Sequence, residues 1–201
     1  MNVLSITGQV IGLIAAAVMI ASFQFKDNRK LFAAQICSTV LFTLHYMFLG
    51  LGGDGGAFAG MAQNFGGIVF RVILILSGRF KKLKSPLVLA AVCAYSAVVA
   101  ALTYDPGNII YLLPMIGSIL CMGALWTDDR NAIRIVQFTA TSPSWLIYNI
   151  STHSISGVIT EVFNLVSIIV FYVRMIIKKQ KEKKLEGAED EKSENNGPRE
   201  L

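Results

Sequence analysis

Two asparagines and two ring-bearing residues occupy matched positions in this chain. His45 and Asn64 are nineteen residues apart, as are Trp145 and Asn164, and the second pair follows the first by 100 residues. Each amide offers two N–H donors and an acceptor, so two of them facing across a cavity can grip a hydroxyl, amide or carboxylate. A Trp face gives a ring something apolar to stack on, and an imidazole titrates near neutral pH, which suits a proton-coupled cycle. Counted inward from the ends of their apolar runs, His45 and Asn64 lie roughly 8 and 11 Å deep at 1.5 Å per residue, so they can share one layer. The plainer alternative is structural. Polar side chains inside membrane helices often form interhelical bonds worth about 0.6 kcal/mol, and a lone histidine is more often a packing residue.

The elements that would position these groups are apolar runs. Of 201 residues, 54% are hydrophobic and 15% charged, a balance that excludes an ordinary soluble domain. Runs of about 18 or more apolar residues, each long enough to cross a hydrocarbon core of about 30 Å, recur along the chain. They predict an all-α integral membrane protein with seven transmembrane helices over residues 5–25, 31–49, 57–77, 86–103, 108–126, 132–150 and 157–177. Breaker-rich turns separate them, and Pro86 opens the fourth, where its missing N–H costs little. Cys37, Cys93 and Cys121 fall in three different runs, which suggests buried thiols with no disulfide framework and no metal site.

The basic residues set the expected topology. Lys26, Arg29 and Lys30 follow the first run, Arg79, Lys81, Lys82 and Lys84 the third, and Arg130 and Arg134 the fifth; seven more lie in the tail from Lys178. All sixteen fall on one side if there are seven spans, which predicts an amino terminus outside and a carboxy terminus in the cytosol. Arg71 and Arg174 remain, each near the same-side end of its span, where a long side chain can snorkel to the interface. No basic residue precedes the first run, so it reads as a retained anchor rather than a secretory signal. The net charge of +5 then reflects topology rather than nucleic-acid binding. Residues 178–201, with mixed charge and little to bury, read as a disordered cytosolic tail whose basic start can touch anionic lipid.

The first three runs resemble the last three. Asp27-Asn28-Arg29 and Asp128-Asp129-Arg130 follow the first helix of each triplet, and a register shifted by two residues pairs Gln35 with Gln137 and Tyr46 with Tyr148. Because three is odd, two such units share an orientation only if one helix lies between them. The expected plan is therefore two parallel three-helix bundles, residues 5–77 and 108–177, joined by a linker helix at 86–103, with any substrate site at the repeat interface.

This 3+1+3 plan resembles the SWEET and PQ-loop superfamily of small-solute carriers. Within that group, Ser22-Phe23-Gln24-Phe25-Lys26-Asp27-Asn28-Arg29 and Leu44-His45-Tyr46 make residues 11–174 most similar to the YgjV family of bacterial inner-membrane proteins. The resemblance implies transport of a small polar solute by alternating access across the bacterial inner membrane. It also implies a pocket lined by Asn64 and Asn164 on the third helix of each repeat and by Trp145 on the second, with His45 at the aromatic position of the first repeat. A receptor or sorting protein on the same scaffold is the alternative. SWEET carriers bend the first helix of each repeat at a Pro-Gln pair. Here Phe23 precedes Gln24, and the second repeat reads Leu125-Trp126. Gln24 keeps a candidate gating position, and Pro114 and Pro143 can bend only the second repeat, so any rocking would be asymmetric.

Other residues carry weaker signals. Glu161 is the acid within a span, close to its outer end, where it can simply face water. Gln63, Gln35, Gln137 and Asn149 are secondary candidates. The glycine-rich stretch Gly52-Gly53-Asp54-Gly55-Gly56 lacks the strand, helix start and Lys of a phosphate cradle, and no catalytic nucleophile arrangement, metal box or dinucleotide fingerprint is present. The expected partners are a small-molecule solute and the lipid bilayer, with no cofactor and no enzyme activity. A homo-oligomer stays open.

Overall fold

The fold was read from a computed structural model. It describes the backbone of residues 2–22, 25 and 28–195, and the side chains of these apart from 28, 29, 31, 32 and 182–195. Seven helical runs and no strand are present among the described residues. They are α1 (Val3–Ser22), α2 (Asn28–Leu51), α3 (Ala57–Ser77), α4 (Pro86–Leu102), α5 (Leu113–Trp126), a sixth run made of α6 (Arg130–Val136) and α7 (Ser142–Ser151), and α8 (Ile155–Asn195). Five stretches are long and apolar enough to cross a membrane: Val3–Ser22, Ala33–Leu51, Ala57–Ser77, Ile109–Trp126 and Ile155–Lys181. The chain is thus an all-α, multi-pass membrane protein.

Local chemistry explains most helix starts. The Ser85 hydroxyl accepts from the Val88 N–H and Pro86 takes the first position of α4, where no donor is needed. Pro114 stands at the second position of α5, after a 3₁₀ turn over Ile109–Leu112 that the Asn108 side chain caps. The sixth run is not one continuous α-helix. Between α6 and α7 lies a π turn, Gln137–Thr141, which closes through the Ser142 N–H on the Gln137 carbonyl. Pro143 follows immediately and cannot donate, so the wider turn accommodates the bond that proline removes. Neither Pro114 nor Pro143 therefore lies in the middle of a straight α-helix.

Residues Met1–Leu165 form one compact unit. In it α1 packs on α2, α2 on α3, α3 on α4 and α5, and α5 on α7. Ala15, Ala16, Ala57 and Ala59 are buried around Phe42, Tyr46, Leu49 and Tyr148, the small side chains letting helix backbones approach where lipid offers no hydrophobic drive. A second cluster joins Phe70, Val92 and Met122, with the Trp126 ring stacked on Phe70 at 6.2 Å. Lys84 and Asp128 form an ion pair between the α3–α4 and α5–α6 loops, placing these two charged turns at the same end. Residues Val166–Leu201 form the other unit. There α8 runs past Lys178 to Asn195, in a stretch rich in Lys, Glu and Ala, all strong helix formers. The three cysteines are free, and Cys37 is exposed rather than buried, on the outer surface of α2.

Candidate functional site

His45 is completely buried and uses both ring nitrogens. Nδ1 lies 2.7 Å from the Gly8 carbonyl on α1 and Nε2 lies 2.7 Å from Ser154 Oγ in the α7–α8 turn. A carbonyl only accepts, so Nδ1 carries the proton and Nε2 takes the serine's. Ser154 Oγ in turn accepts from the Gly157 N–H at 3.2 Å, and Ser156 Oγ stands 3.4 Å from Nε2. At the next residue of α1, the Gln9 side chain donates to the His153 carbonyl at 2.6 Å and accepts from the Ile155 N–H at 3.2 Å. Tyr46 donates its hydroxyl to Asn149 Oδ1 near the end of α7. The start of α8 is therefore held by side chains of α1 and α2, more than 100 residues earlier.

The reverse contact is also made. Tyr148 on α7 is completely buried, and its hydroxyl accepts from the Gly60 N–H at 2.7 Å while donating to the Gly56 carbonyl at 2.8 Å. It so bridges a backbone pair in the first turn of α3. Tyr111 lies against Gly56 closely enough that any Cβ there would collide with its ring. Tyr46 and Tyr148 meet where the two sets of contacts cross, their ring centroids 5.9 Å apart, with Trp145 at 6.2 and 5.8 Å from them. Side chains of α1 and α2 thus fasten the start of α8, and a side chain of α7 fastens the start of α3.

The four residues singled out by spacing make different contacts. Trp145 and His45 both border Tyr46, whose ring centroid lies 4.9 Å from that of His45. His45 spends its polar atoms on the clasp. Asn64 is half-buried, and its amide donates back to the Gly60 carbonyl at 3.0 Å. Asn164 is half-buried and donates to Glu161 Oε2 at 3.3 Å. Both bonds are local to one helix, so neither amide fastens two helices together. Gln24 lies outside the described residues.

Charged and polar groups that spacing ranked lower make contacts of their own. Glu161 is half-buried rather than open to outside water, and its carboxylate faces Ser142 as well as Asn164. Ser142 Oγ accepts from Gln137 Nε2 at 2.8 Å across the π turn. Arg71 does not snorkel. Its Nη1 turns back to the Gly67 carbonyl at 3.2 Å, one turn toward the start of α3, and its Nε is buried without a partner among the described residues. Helical side chains lean toward the helix amino terminus, and in α3 that direction leads away from the basic loop. Gln63 is buried, donating to the Ser96 carbonyl at 2.8 Å. The signals that pointed here were the Tyr pairing and the presence of Arg71 and Glu161 inside apolar runs, where ionisable groups are costly.

Searches of curated proteins and of solved structures give no match. The family model of Imp-YgjV, described as a bacterial inner membrane protein, matches residues 6–179. That range takes in the aromatic core, the reciprocal clasp and the Arg71 and Glu161 positions, and this multi-pass helical chain belongs to the Imp-YgjV family of bacterial inner membrane proteins.

Proposed function

We propose that this inner membrane protein carries a small polar solute by alternating access, through two three-helix repeats on either side of α4 in the manner of the SWEET and PQ-loop carriers. The amino terminus is outside and the carboxy terminus in the cytosol. The observation that carries the reading is the reciprocal clasp. Gln9 and His45 hold the start of α8 and Tyr46 the end of α7, while Tyr148 holds the start of α3. Equivalent insertions from each half into the other are what related repeats would make. With this orientation they close the outer end, and because the contacts are neutral hydrogen bonds of about 1 kcal/mol net each, the end can open reversibly. Asn64 and Asn164, bonded only within their own helices, keep donors and acceptors for a solute. No cofactor or catalytic group enters the scheme, and the lipid bilayer is the one partner required besides the solute.

Uptake into proteoliposomes tests it. A panel of small polar solutes should include at least one that the protein accumulates or exchanges, and Asn64→Leu or Asn164→Leu should abolish that flux while the protein stays monodisperse in detergent. Binding without flux would favour the receptor reading on the same scaffold. Full flux in both variants would remove the two asparagines from the site.

A further inference from the structure

Arg79, Phe80, Lys81, Lys82, Leu83 and Lys84 follow one another in the loop that joins α3 to α4, four cations and two apolar residues with no acid among them. No Asp or Glu occurs anywhere between Asp54 and Asp105. The acids of the neighbouring α5–α6 turn are engaged: Asp128 pairs with Lys84, and the Asp129 carboxylate accepts from the Asn131 N–H at 2.8 Å to cap α6. Arg79, Lys81 and Lys82 are exposed and have no carboxylate partner among the described residues. The loop is therefore tied to the next turn through one cation and offers the other three to something outside the chain.

The loop stands at the level of the lipid headgroups. The membrane-spanning stretch Ala57–Ser77 runs directly into it, and the apolar helix α4 starts directly after it. Phe80 is 54% exposed, with the Arg79 guanidinium 5.8 Å from the centre of its ring, and Leu87 in the first turn of α4 is 81% exposed. Apolar side chains set among cations at the end of a span suit the boundary between headgroup and acyl chain. The cations suit phosphate, which a guanidinium fork grips in bidentate geometry and an ammonium group meets as a point charge. A free phosphate would satisfy the charges and leave Phe80 and Leu87 in water. A phospholipid with a net negative headgroup satisfies both.

We infer that the α3–α4 loop binds the headgroup of an anionic phospholipid, with Arg79, Lys81 and Lys82 on the phosphate and acyl chains covering Phe80 and Leu87. The inference is independent of the carrier reading and of which face of the membrane is cytosolic.

The test uses full-length protein in detergent, where membrane orientation has no influence, titrated with phosphatidylglycerol, phosphatidylcholine or glycerol phosphate and followed by thermal unfolding. Phosphatidylglycerol should raise Tm, since a ligand of the folded state stabilises it, and the rise should shrink as salt is added. Phosphatidylcholine and glycerol phosphate at the same concentration should leave Tm nearly unchanged. The triple variant Arg79→Gln, Lys81→Gln, Lys82→Gln should bind phosphatidylglycerol at least about tenfold more weakly, each cation near an anionic surface contributing roughly fivefold. Its Tm without lipid should match wild type because the three side chains are exposed, and the double variant Lys81→Gln, Lys82→Gln, expected to fall between, serves if the triple does not fold. Lys178→Gln, Lys179→Gln, Lys181→Gln makes the same charge change in a tail where acids are interleaved and should weaken binding less. Equal shifts with the two phospholipids, or full binding by the loop variants, would overturn the site. An equal shift with glycerol phosphate would overturn the lipid as its occupant, and an equal loss in the tail variant would overturn its location.

Discussion

His45 Nε2 and Ser154 Oγ meet at 2.7 Å across 109 residues of chain, joining α2 to the turn that opens α8. The bond is wholly buried, and the other imidazole nitrogen is satisfied by α1. A histidine with both nitrogens engaged by protein is fastening helices rather than waiting for a ligand. His45→Phe would keep the ring volume but strand the Ser154 hydroxyl, a loss on the order of 2 kcal/mol for buried polar groups left unpaired. Thermal unfolding in detergent should show a fall of several degrees for His45→Phe and little change for Asn64→Leu. Equal Tm values for the two variants would refute this division of roles.

The approach of Tyr148 to α3 depends on the absence of a side chain at position 60. A Cβ on Gly60 would stand 2.6 Å from the Tyr148 hydroxyl oxygen. Gly60→Ala should therefore destabilise by about 1–3 kcal/mol through overpacking. Tyr148→Phe removes the offending oxygen, so the double variant should be more stable than the sum of the single losses predicts. Additive losses, read by thermal melts of the four proteins, would mean that the contact does not limit the packing.

Asp54 lies in the loop between α2 and α3, where burial pushes its carboxyl above the ordinary 3.8, opposed by His153 and by the Gly56 and Ala57 amides. A raised acid pKa means that the folded state binds protons more tightly than the unfolded chain. Stability attached to this group is complete below the unfolded value and declines as pH rises through the folded one. Asp54→Asn does not titrate. Its Tm should fall less than that of wild type as pH is raised from about 3.5 to 6, a window set by that direction of shift. A steeper decline in the variant would reverse the sign.

Topology can be read chemically. In a background without native cysteines, Gly53→Cys should react with an impermeant thiol reagent in intact cells, and Lys82→Cys should react only after permeabilisation. The expectation rests on the one-sided basic residues. Labelling of both from outside would invert or break the proposed orientation.

The sequence by itself determined the membrane class and the approximate ends of the helices, because both follow from local composition. About twenty apolar residues between breakers leave little choice of element. It also marked Pro86, Tyr46 with Tyr148, and the ionisable Arg71 and Glu161 as unusual. It could not show how these groups are used. Spacing along one helix reports which residues share its face, whereas the partners of His45, Gln9 and Tyr148 lie 37 to 146 residues away and depend on how helices pack. Reading the sixth run as one helix missed the π turn, since apolar content does not distinguish hydrogen-bond registers. The expected snorkelling of Arg71 failed because distance to the interface was weighed without the lean of helical side chains. Only the tertiary structure, by filling both nitrogens of His45 while leaving Arg71 Nε unpartnered among the described residues, showed which of these polar groups hold helices together.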